Sequence, residues 1–227
     1  MVDHGLYQRL VGKLIYLSYT RLDIAYVVGV VSQFMHSPHE SHMEAIYRIL
    51  RYLKSTPSNG ILFYKIGNME LEAYSDVDWA GSIVNRRFGY FTFLGGNLVT
   101  WRSKKQLLVA RSRAKAEFKV MAQAIYELLW IKIIITNLGI TLKEPMRLYC
   151  DNQAAINIAH NPIHHDRTKH VEIDWHFIKE KLDIGLICTP YVPSSKQLAD
   201  ILTKGLPSST FYIILNKLGM QNIFTPA

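Results

Sequence analysis

The sequence has little cysteine and no long apolar run. Cys150 and Cys188 are its two cysteines, which allow at most one disulfide and exclude a disulfide-rich secreted scaffold. No apolar stretch approaches the roughly 18 residues that a membrane span requires, and the N-terminus lacks the basic and apolar blocks of a signal peptide. We therefore expect a soluble chain in a reducing compartment, with no membrane contact.

Acidic residues are also in deficit. The 227 residues include 26 Lys and Arg against 18 Asp and Glu, which gives a net charge of +8 and is compatible with a polyanionic partner. Residues 102–119 contain a single acid, Glu117, and a cluster of bases. This cluster indicates either phosphate contacts or a solvated helix start and hairpin end, and composition does not decide between them. The bases are Arg102, Lys104, Lys105, Arg111, Arg113, Lys115 and Lys119.

The first sixty residues have the apolar periodicity of helices. Leucines recur at helical spacing from Leu6 to Leu17, and residues 24–35 form a mostly apolar second segment. Ser37 and Pro38 predict the N-cap and first position of a third helix. This part of the chain is therefore predicted to be a small helical bundle.

From about residue 69 the pattern changes to strands followed by alternating helices and strands. Two aromatic and β-branched segments flank Gly95 and Gly96, which is typical of a tight hairpin. The resulting order predicts an α/β fold, with a mixed sheet and helices packed on it. The predicted strands are 71–76, 89–94, 97–101, 146–150 and 185–192, and the predicted helices are 112–137, 153–159, 170–182 and 195–204.

Four carboxylates fall at informative places in this pattern. Asp76 and Asp151 end strands, where α/β sheets usually bind ligands, while Glu117 and Asp200 lie on helices. Each acid alone is typical of a cap, a surface charge or a salt bridge. Gathered together they would repel one another unless cations intervened, and hard oxygen ligands suit Mg²⁺ or Mn²⁺.

Several short strings carry a family resemblance because they occur in a fixed order over nearly the whole chain. Through these strings and their order, the chain resembles the ribonuclease H of Ty1/copia-type retrotransposons. Two earlier strings, 10–14 (LVGKL) and 48–54 (RILRYLK), resemble the end of the preceding reverse transcriptase. The nuclease strings are 74–81 (YSDVDWAG), 100–106 (TWRSKKQ), 116–118 (AEF), 150–155 (CDNQAA), 167–172 (RTKHVE) and 199–204 (ADILTK).

The resemblance implies a C-terminal piece of a Pol polyprotein. Residues 1–65 would be a helical remnant of the reverse-transcriptase thumb or connection, residues 69–205 a ribonuclease H-like domain with a mixed five-stranded sheet, and residues 206–227 a C-terminal tail. No Tyr-x-Asp-Asp string is present, so we do not expect this chain to synthesise DNA. The resemblance further implies the reverse-transcriptase region as a partner, and an intracellular location in cytoplasmic virus-like particles or the nucleus.

The implied reaction is hydrolysis of the RNA strand of an RNA/DNA hybrid with two Mg²⁺ (or Mn²⁺) ions. By match to the family motifs, Asp76 bridges both ions, Glu117 and Asp151 complete one coordination sphere, and Asp200 completes the other. Nucleic-acid contacts are implied for four further side chains. These are Arg102, Lys104, Lys105 and His170.

Some features favour other interpretations. Arg113 stands four residues before Glu117, on the same helix face, where it could compete with a cation for that carboxylate. The chain could therefore be a catalytically inactive, nucleic-acid-binding remnant. Asp78 is an alternative to Asp76 as a ligand, although the motif favours Asp76. A zinc site among the histidines of residues 160–176 is disfavoured, because paired Cys or His spacings are absent there.

Overall fold

The computed structural model describes residues 2–65, 69–79, 86–106, 112–142, 145–161 and 169–224, with side chains left out for residues 169–172. None of the described helices is both long enough and apolar enough to cross a bilayer. The α-helices are α1 (His4–Leu17), α2 (Ala25–Val31), α3 (Glu40–Ser55), α4 (Arg113–Asn137), α5 (Gln153–His160), α6 (Lys169–Asp183), α7 (Asp200–Thr203) and α8 (Ser208–Lys217). The strands are β1 (Asn59–Ile61), β2 (Leu71–Val77), β3 (Arg87–Leu94), β4 (Asn97–Lys105), β5 (Met146–Cys150), β6 (Ile187–Cys188) and β7 (Met220–Asn222).

A five-stranded mixed sheet lies at the centre of the molecule, in the order β4-β3-β2-β5-β6. Strands β2, β3 and β4 form an antiparallel meander, whereas β5 is parallel to β2 and β6 is parallel to β5. The parallel pairs are connected through helices, as such connections require. The predicted fold class, a mixed sheet flanked by helices, is confirmed.

Helices cover both faces of this sheet because its strands alternate their side chains. On β3, Tyr90 points into a core built mainly with α4, while Phe91 and Phe93 point into a second core on the opposite face. The long helix α4 buries Phe118, Met121 and other apolar residues against β2 and β5. The second core contains residues of α7 and α8.

The N-terminal helices pack around their own apolar core and also lie against the sheet. Tyr7, Val11 and Ile46 are fully buried in that core. The indole nitrogen of Trp101, on β4, donates a hydrogen bond of 3.0 Å to the Ser18 carbonyl oxygen. Leu22, at the start of the 3₁₀ turn Leu22–Ile24, is buried in the second core.

The C-terminal residues pack on the face of the sheet that carries the second core. Ile214 and Leu215 of α8 are buried in the second core. After α8 the chain forms β7, which pairs antiparallel with β1. Residues 208–222 therefore contact the sheet through α8 and the end of the N-terminal helical segment through β7.

The third helix begins later than the sequence predicts. It starts at Glu40 with His39 as N-cap, so the prediction of Ser37 as N-cap and Pro38 as first helical residue is wrong. The Ser37 amide instead donates to the Phe34 carbonyl oxygen at 3.2 Å and closes the preceding 3₁₀ turn. The His42 imidazole accepts the His39 amide at 3.0 Å and supplies the cap.

The prediction of one continuous helix over residues 195–204 is also wrong. A 3₁₀ turn at Ser194–Lys196 is followed by extended backbone at Gln197 and then by the single turn of α7. The buried Gln197 amide interrupts the helix, because its nitrogen donates to the Ser75 carbonyl oxygen at 2.9 Å and its oxygen accepts the Ala199 amide at 3.1 Å. These two bonds fix α7 beside β2.

Gly89 sets how closely α7 approaches the sheet. A Cβ atom at this position would lie 2.5 Å from Leu202 Cβ and 3.2 Å from Thr203 Cγ2. We expect Gly89→Ala to displace α7 and to cost about 1–3 kcal/mol, the usual penalty for overpacking. In a chain of this size that corresponds to a fall in Tm of roughly 2–12 °C, measurable by thermal denaturation.

Gly12→Ala is the matched control. Gly12 lies on α1, and a Cβ atom added there would have no heavy atom within 4 Å, so alanine should raise stability by up to about 1 kcal/mol. Equal Tm values for the two variants would show that α7 is not tightly seated on β3.

Candidate metal and nucleic-acid site

Two of the predicted acids leave the sheet side by side. Ser75 on β2 is the register partner of Cys150 on β5, and the two strands run parallel. Asp76 and Asp151 therefore follow at the same edge of neighbouring strands. This is the edge at which α/β sheets usually place ligands.

The other two acids reach this edge from helices on opposite faces of the sheet. Glu117, on the second turn of α4, is fully buried. Asp200 begins α7. Thr203, three residues later, donates a hydrogen bond from its hydroxyl to Asp76 Oδ2. The structure thus brings Asp76, Glu117, Asp151 and Asp200 together.

Arg113 links two of these carboxylates. Its Nε lies 3.5 Å from Glu117 Oε1, and its Nη2 lies 3.3 Å from Asp151 Oδ2. Charge-assisted hydrogen bonds are normally about 2.7–2.9 Å long, so both contacts are longer than usual. The arginine side chain is also 45% exposed to solvent. The expected contact between Arg113 and Glu117 is therefore present but long, so it competes only weakly for the carboxylate.

Lys204 links the other two carboxylates, a role that the sequence interpretation missed. Its Nζ lies 2.8 Å from Asp200 Oδ1 and 3.3 Å from both oxygens of Asp76. The spacing of Asp200 and Lys204, four residues apart on a helix, was the available signal. The contact with Asp76 crosses 128 positions of chain and carries no local signal.

Two hydroxyl groups orient the acids and were also missed. Ser194 donates to Asp151 Oδ2 at 2.7 Å, and Thr203 donates to Asp76. Both hydroxyls come from the connection around α7 that Gln197 holds against β2. The same connection therefore positions one carboxylate, Asp200, and the donors to two others.

Burial and mutual repulsion change the protonation of the cluster. Burial, together with the charges of Asp76 and Asp151, raises the pKa of Glu117 to about 9, although Arg113 opposes the shift. Burial and the charge of Asp76 raise the pKa of Asp200 to about 6. Burial alone would lower the pKa of Lys204, but Asp76 and Asp200 outweigh it and the pKa is raised. Arg113 and Lys204 therefore do not fully offset the negative charge of the carboxylates.

The donor set fits a divalent cation. Glu117 Oε2 is buried and has no hydrogen-bond partner, which is costly for a carboxylate oxygen unless a cation or proton meets it. Ligand atoms of Glu117, Asp151 and Cys150 all lie within 4.8 Å of one another. Burial raises the pKa of the Cys150 thiol, so the hard carboxylate oxygens are the ligands suited to Mg²⁺.

The predicted nucleic-acid residues lie along the edge strand β4. Arg102, Lys104 and Lys105 line a cleft of about 550 Å³ between β3–β4 and α4, where Lys119 joins them. Arg102 Nη1 also donates to the Tyr90 hydroxyl at 3.4 Å. The side chain of His170 lies outside the described residues.

The alternative ligands occupy other surroundings. The Asp78 amide donates to the Arg87 carbonyl oxygen at 2.9 Å. Burial, together with the charge of Asp78, raises the pKa of Tyr26 on α2. His160 Nε2 is 2.8 Å from the Thr189 hydroxyl. Within the described part of the chain, no histidine joins a metal-ligand group.

The chain is similar to retrotransposon proteins along nearly all of its length. It is 42% identical over 226 residues to the retrovirus-related Pol polyprotein from transposon RE1 of Arabidopsis thaliana, covering 98% of this chain. It is 38% identical over 222 residues to the corresponding protein from transposon TNT 1-94 of Nicotiana tabacum, covering 95% of this chain. The chain spans 15% and 16% of those two proteins.

No protein-family model matches the chain. A crystal structure of RNase H1 from Halobacterium salinarum aligns with 59% of this chain and 93% of its own, at 17% identity and a TM-score of 0.40. The sequence relatives decide the family. The chain belongs to the Pol polyproteins of copia-type retrotransposons and corresponds to a segment of them.

Proposed function

We propose that this chain is a metal-dependent ribonuclease H, which hydrolyses the RNA strand of an RNA/DNA hybrid. The observation that carries the proposal is the convergence of four carboxylates at one sheet edge, with Glu117 Oε2 buried and unpartnered. Such a cup of hard oxygen atoms suits a pair of Mg²⁺ or Mn²⁺ ions. Membership of the retrotransposon Pol family supports the same reaction.

Each acid has a distinct place in this proposal. Asp76 lies on the central strand and is the group shared between the two halves of the cluster, so it would bridge both ions. Glu117 and Asp151 would hold one ion, and Asp200 the other. When bound, the ions lower the pKa of a water molecule and stabilise charge on the departing 3′ oxygen.

The chain's own groups prepare the carboxylates for this role. Ser194 and Thr203 fix the orientations of Asp151 and Asp76 through hydrogen bonds. Arg113 and Lys204 offset part of the negative charge of the cluster when cations are absent. Both side chains are partly exposed, so they can withdraw toward solvent without a change in the backbone.

The basic edge strand supplies the affinity for substrate. Arg102, Lys104 and Lys105 would contact phosphates, which makes binding salt-dependent and nearly independent of sequence. Selection of RNA requires contacts to 2′-hydroxyl groups across the minor groove. We extend the proposal to a reverse-transcriptase region as partner and to an intracellular site of action.

A second candidate function is nucleic-acid binding without cleavage. The observation that favours it is the pairing of every carboxylate with Arg113 or Lys204. In that case cations would never displace the two side chains, and the basic edge strand alone would be functional. A cleavage assay separates the two candidates.

Asp151→Asn tests the role of the carboxylates. With a labelled RNA/DNA hybrid and Mg²⁺, we expect wild type to cleave the RNA strand and the variant to lose at least about 100-fold in rate, since amide oxygens bind hard cations poorly. Asp78→Asn, two residues from Asp76, should retain activity within a few-fold. Equal rates for wild type and Asp151→Asn would refute the assignment.

Arg113→Ser tests competition between the arginine and a cation. Removing long, half-exposed ion pairs changes free energies by about 0.2–1 kcal/mol, so we expect the Mg²⁺ concentration for half-maximal cleavage to fall about 1.4- to five-fold. Lys132→Ser removes the same charge about 28 Å along α4 and should leave the curve unchanged. Superimposable curves for wild type and Arg113→Ser would dismiss the competition.

Glu117→Gln tests the cost of burying the carboxylate. Because burial raises the pKa of Glu117 to about 9, the carboxylate must take up a proton on folding near pH 8, which costs stability. Glutamine keeps the shape without this cost, so in metal-free buffer near pH 8 we expect a Tm gain of roughly 2–4 °C for each kcal/mol of that cost. Addition of Mg²⁺ should raise the Tm of wild type and not that of the variant. A lower Tm for the variant in EDTA would show that Glu117 stabilises the fold as it stands.

A further inference from the structure

Arg87, the first residue of β3, is a buried cation with an unused donor. It is 3% exposed, and it donates from Nε to the Ser103 hydroxyl at 3.1 Å and from Nη2 to the Ser103 carbonyl oxygen at 3.4 Å. Its Nη1 has no hydrogen-bond partner. Among the residues that the structure describes, no carboxylate forms an ion pair with it.

A buried guanidinium without a counter-ion is costly and rare. Burial lowers the pKa of Arg87, and Tyr26 is the group whose charge opposes this shift. The position of the guanidinium is nevertheless fixed, since Ser103 holds two of its nitrogens. A Cβ atom at Gly29 of α2 would overlap the guanidinium, so glycine makes room for it there.

Gln33 lies one helical turn beyond Gly29 and, like Arg87, has buried polar atoms that make no hydrogen bond. Both its amide nitrogen and its amide oxygen are buried without a hydrogen-bond partner. Gln33 and Arg87 line one cleft of about 530 Å³, which lies between the N-terminal helices and β3–β4. The two residues that carry these three unsatisfied polar atoms thus line one cavity, and such atoms call for a polar partner.

The cleft also has basic lining residues. Lys104 and Lys105 line it together with Arg102, and Glu127 is its acidic lining residue. A phosphate group, with several acceptor oxygens and a negative charge, matches Arg87 Nη1 and the Gln33 amide nitrogen. The Gln33 amide oxygen could then accept a sugar hydroxyl of the same nucleotide.

We propose that the cleft between α2 and β3–β4 binds a backbone phosphate of a nucleic-acid strand, with Arg87 and Gln33 as its ligands. The inference rests on the proposed function, because the strand would belong to the same substrate. Arg87 is two residues, about 7 Å along the strand, from Gly89, which is the register partner of Asp76. The Ser103 hydroxyl that holds Arg87 also donates to the Leu202 carbonyl oxygen at 2.6 Å, beside Thr203.

This location gives the N-terminal helices a part in substrate binding. Gly29 and Gln33 come from the helical segment, whereas Arg87 and Ser103 come from the sheet. The phosphate site is therefore complete only when both parts of the chain are present. It lies near the carboxylates and is built from a different set of side chains.

The test is binding of a fluorescent RNA/DNA hybrid of about two helical turns in EDTA, measured by anisotropy from about 50 to 200 mM salt. For Arg87→Gln we expect roughly three- to ten-fold weaker binding and a log–log salt slope smaller by about 0.9, the value for one lost phosphate contact. Lys13→Gln, at an exposed position of α1 outside the cleft, should leave the slope nearly unchanged.

Gln33→Leu keeps the test decisive if Arg87→Gln does not fold. Its amide atoms have no partner to lose, so we expect an equal or higher Tm, with two- to five-fold weaker binding. Unchanged affinity and slope in every folded variant of Arg87 and Gln33, or no binding by wild type, would overturn the inference.

Cleavage with Mg²⁺ is scored separately from binding in EDTA. A wild type that cleaves, together with cleft variants that bind normally, would refute the phosphate site and leave the nuclease proposal intact. A wild type that never cleaves, together with cleft variants that bind weakly, would refute the nuclease proposal and support the phosphate site.

Discussion

Electrostatic repulsion among four carboxylates at one sheet edge is the constraint on which the molecule depends. Asp76 and Glu117 are fully buried and Asp151 is nearly so, so water does little to screen them from one another. Without compensation such a cluster would oppose folding. The chain compensates with a protonated Glu117 at neutral pH and with two cationic side chains, Arg113 and Lys204.

These two compensating cations differ in strength. Arg113 is half exposed and contacts its partners at 3.3–3.5 Å, whereas Lys204 lies 2.8 Å from Asp200. The lysine is thus the stronger competitor for any bound cation, although Arg113 is the more conspicuous residue in the sequence. The arrangement offsets part of the negative charge when the site is free of ions and still leaves Glu117 Oε2 without a hydrogen-bond partner.

The site also explains why the two ends of the chain pack against the sheet. Asp200, Thr203 and Lys204 reach the cluster only if α7 lies close to β3, and Gly89 and Gln197 allow this approach. Residues of α8 and of the N-terminal segment fill the same core as α7. The contacts that stabilise the fold therefore also set the positions of the site residues on α7.

Much of this could be predicted from the sequence, because the informative signals are local. Alternating strands, the long apolar face of α4 and acids at strand ends indicated the fold class and the four carboxylates that converge. The N-cap at His39, the break at Gln197 and the contacts of Lys204 with Asp76 were missed. The last two depend on side-chain bonds to groups in another element, which no propensity or spacing encodes. The N-cap rests on a local bond between residues three apart, and it was missed because histidine is not among the preferred capping residues. The division between helical segment and nuclease domain remains a prediction.

The most direct test of the central claim is anomalous scattering from crystals of the chain grown or soaked with Mn²⁺. The account predicts two peaks roughly 4 Å apart, flanked by Asp76, Glu117, Asp151 and Asp200, with Arg113 and Lys204 displaced from their carboxylates. Absence of manganese from this cup at saturating concentration, with both ion-paired side chains still in place, would contradict it.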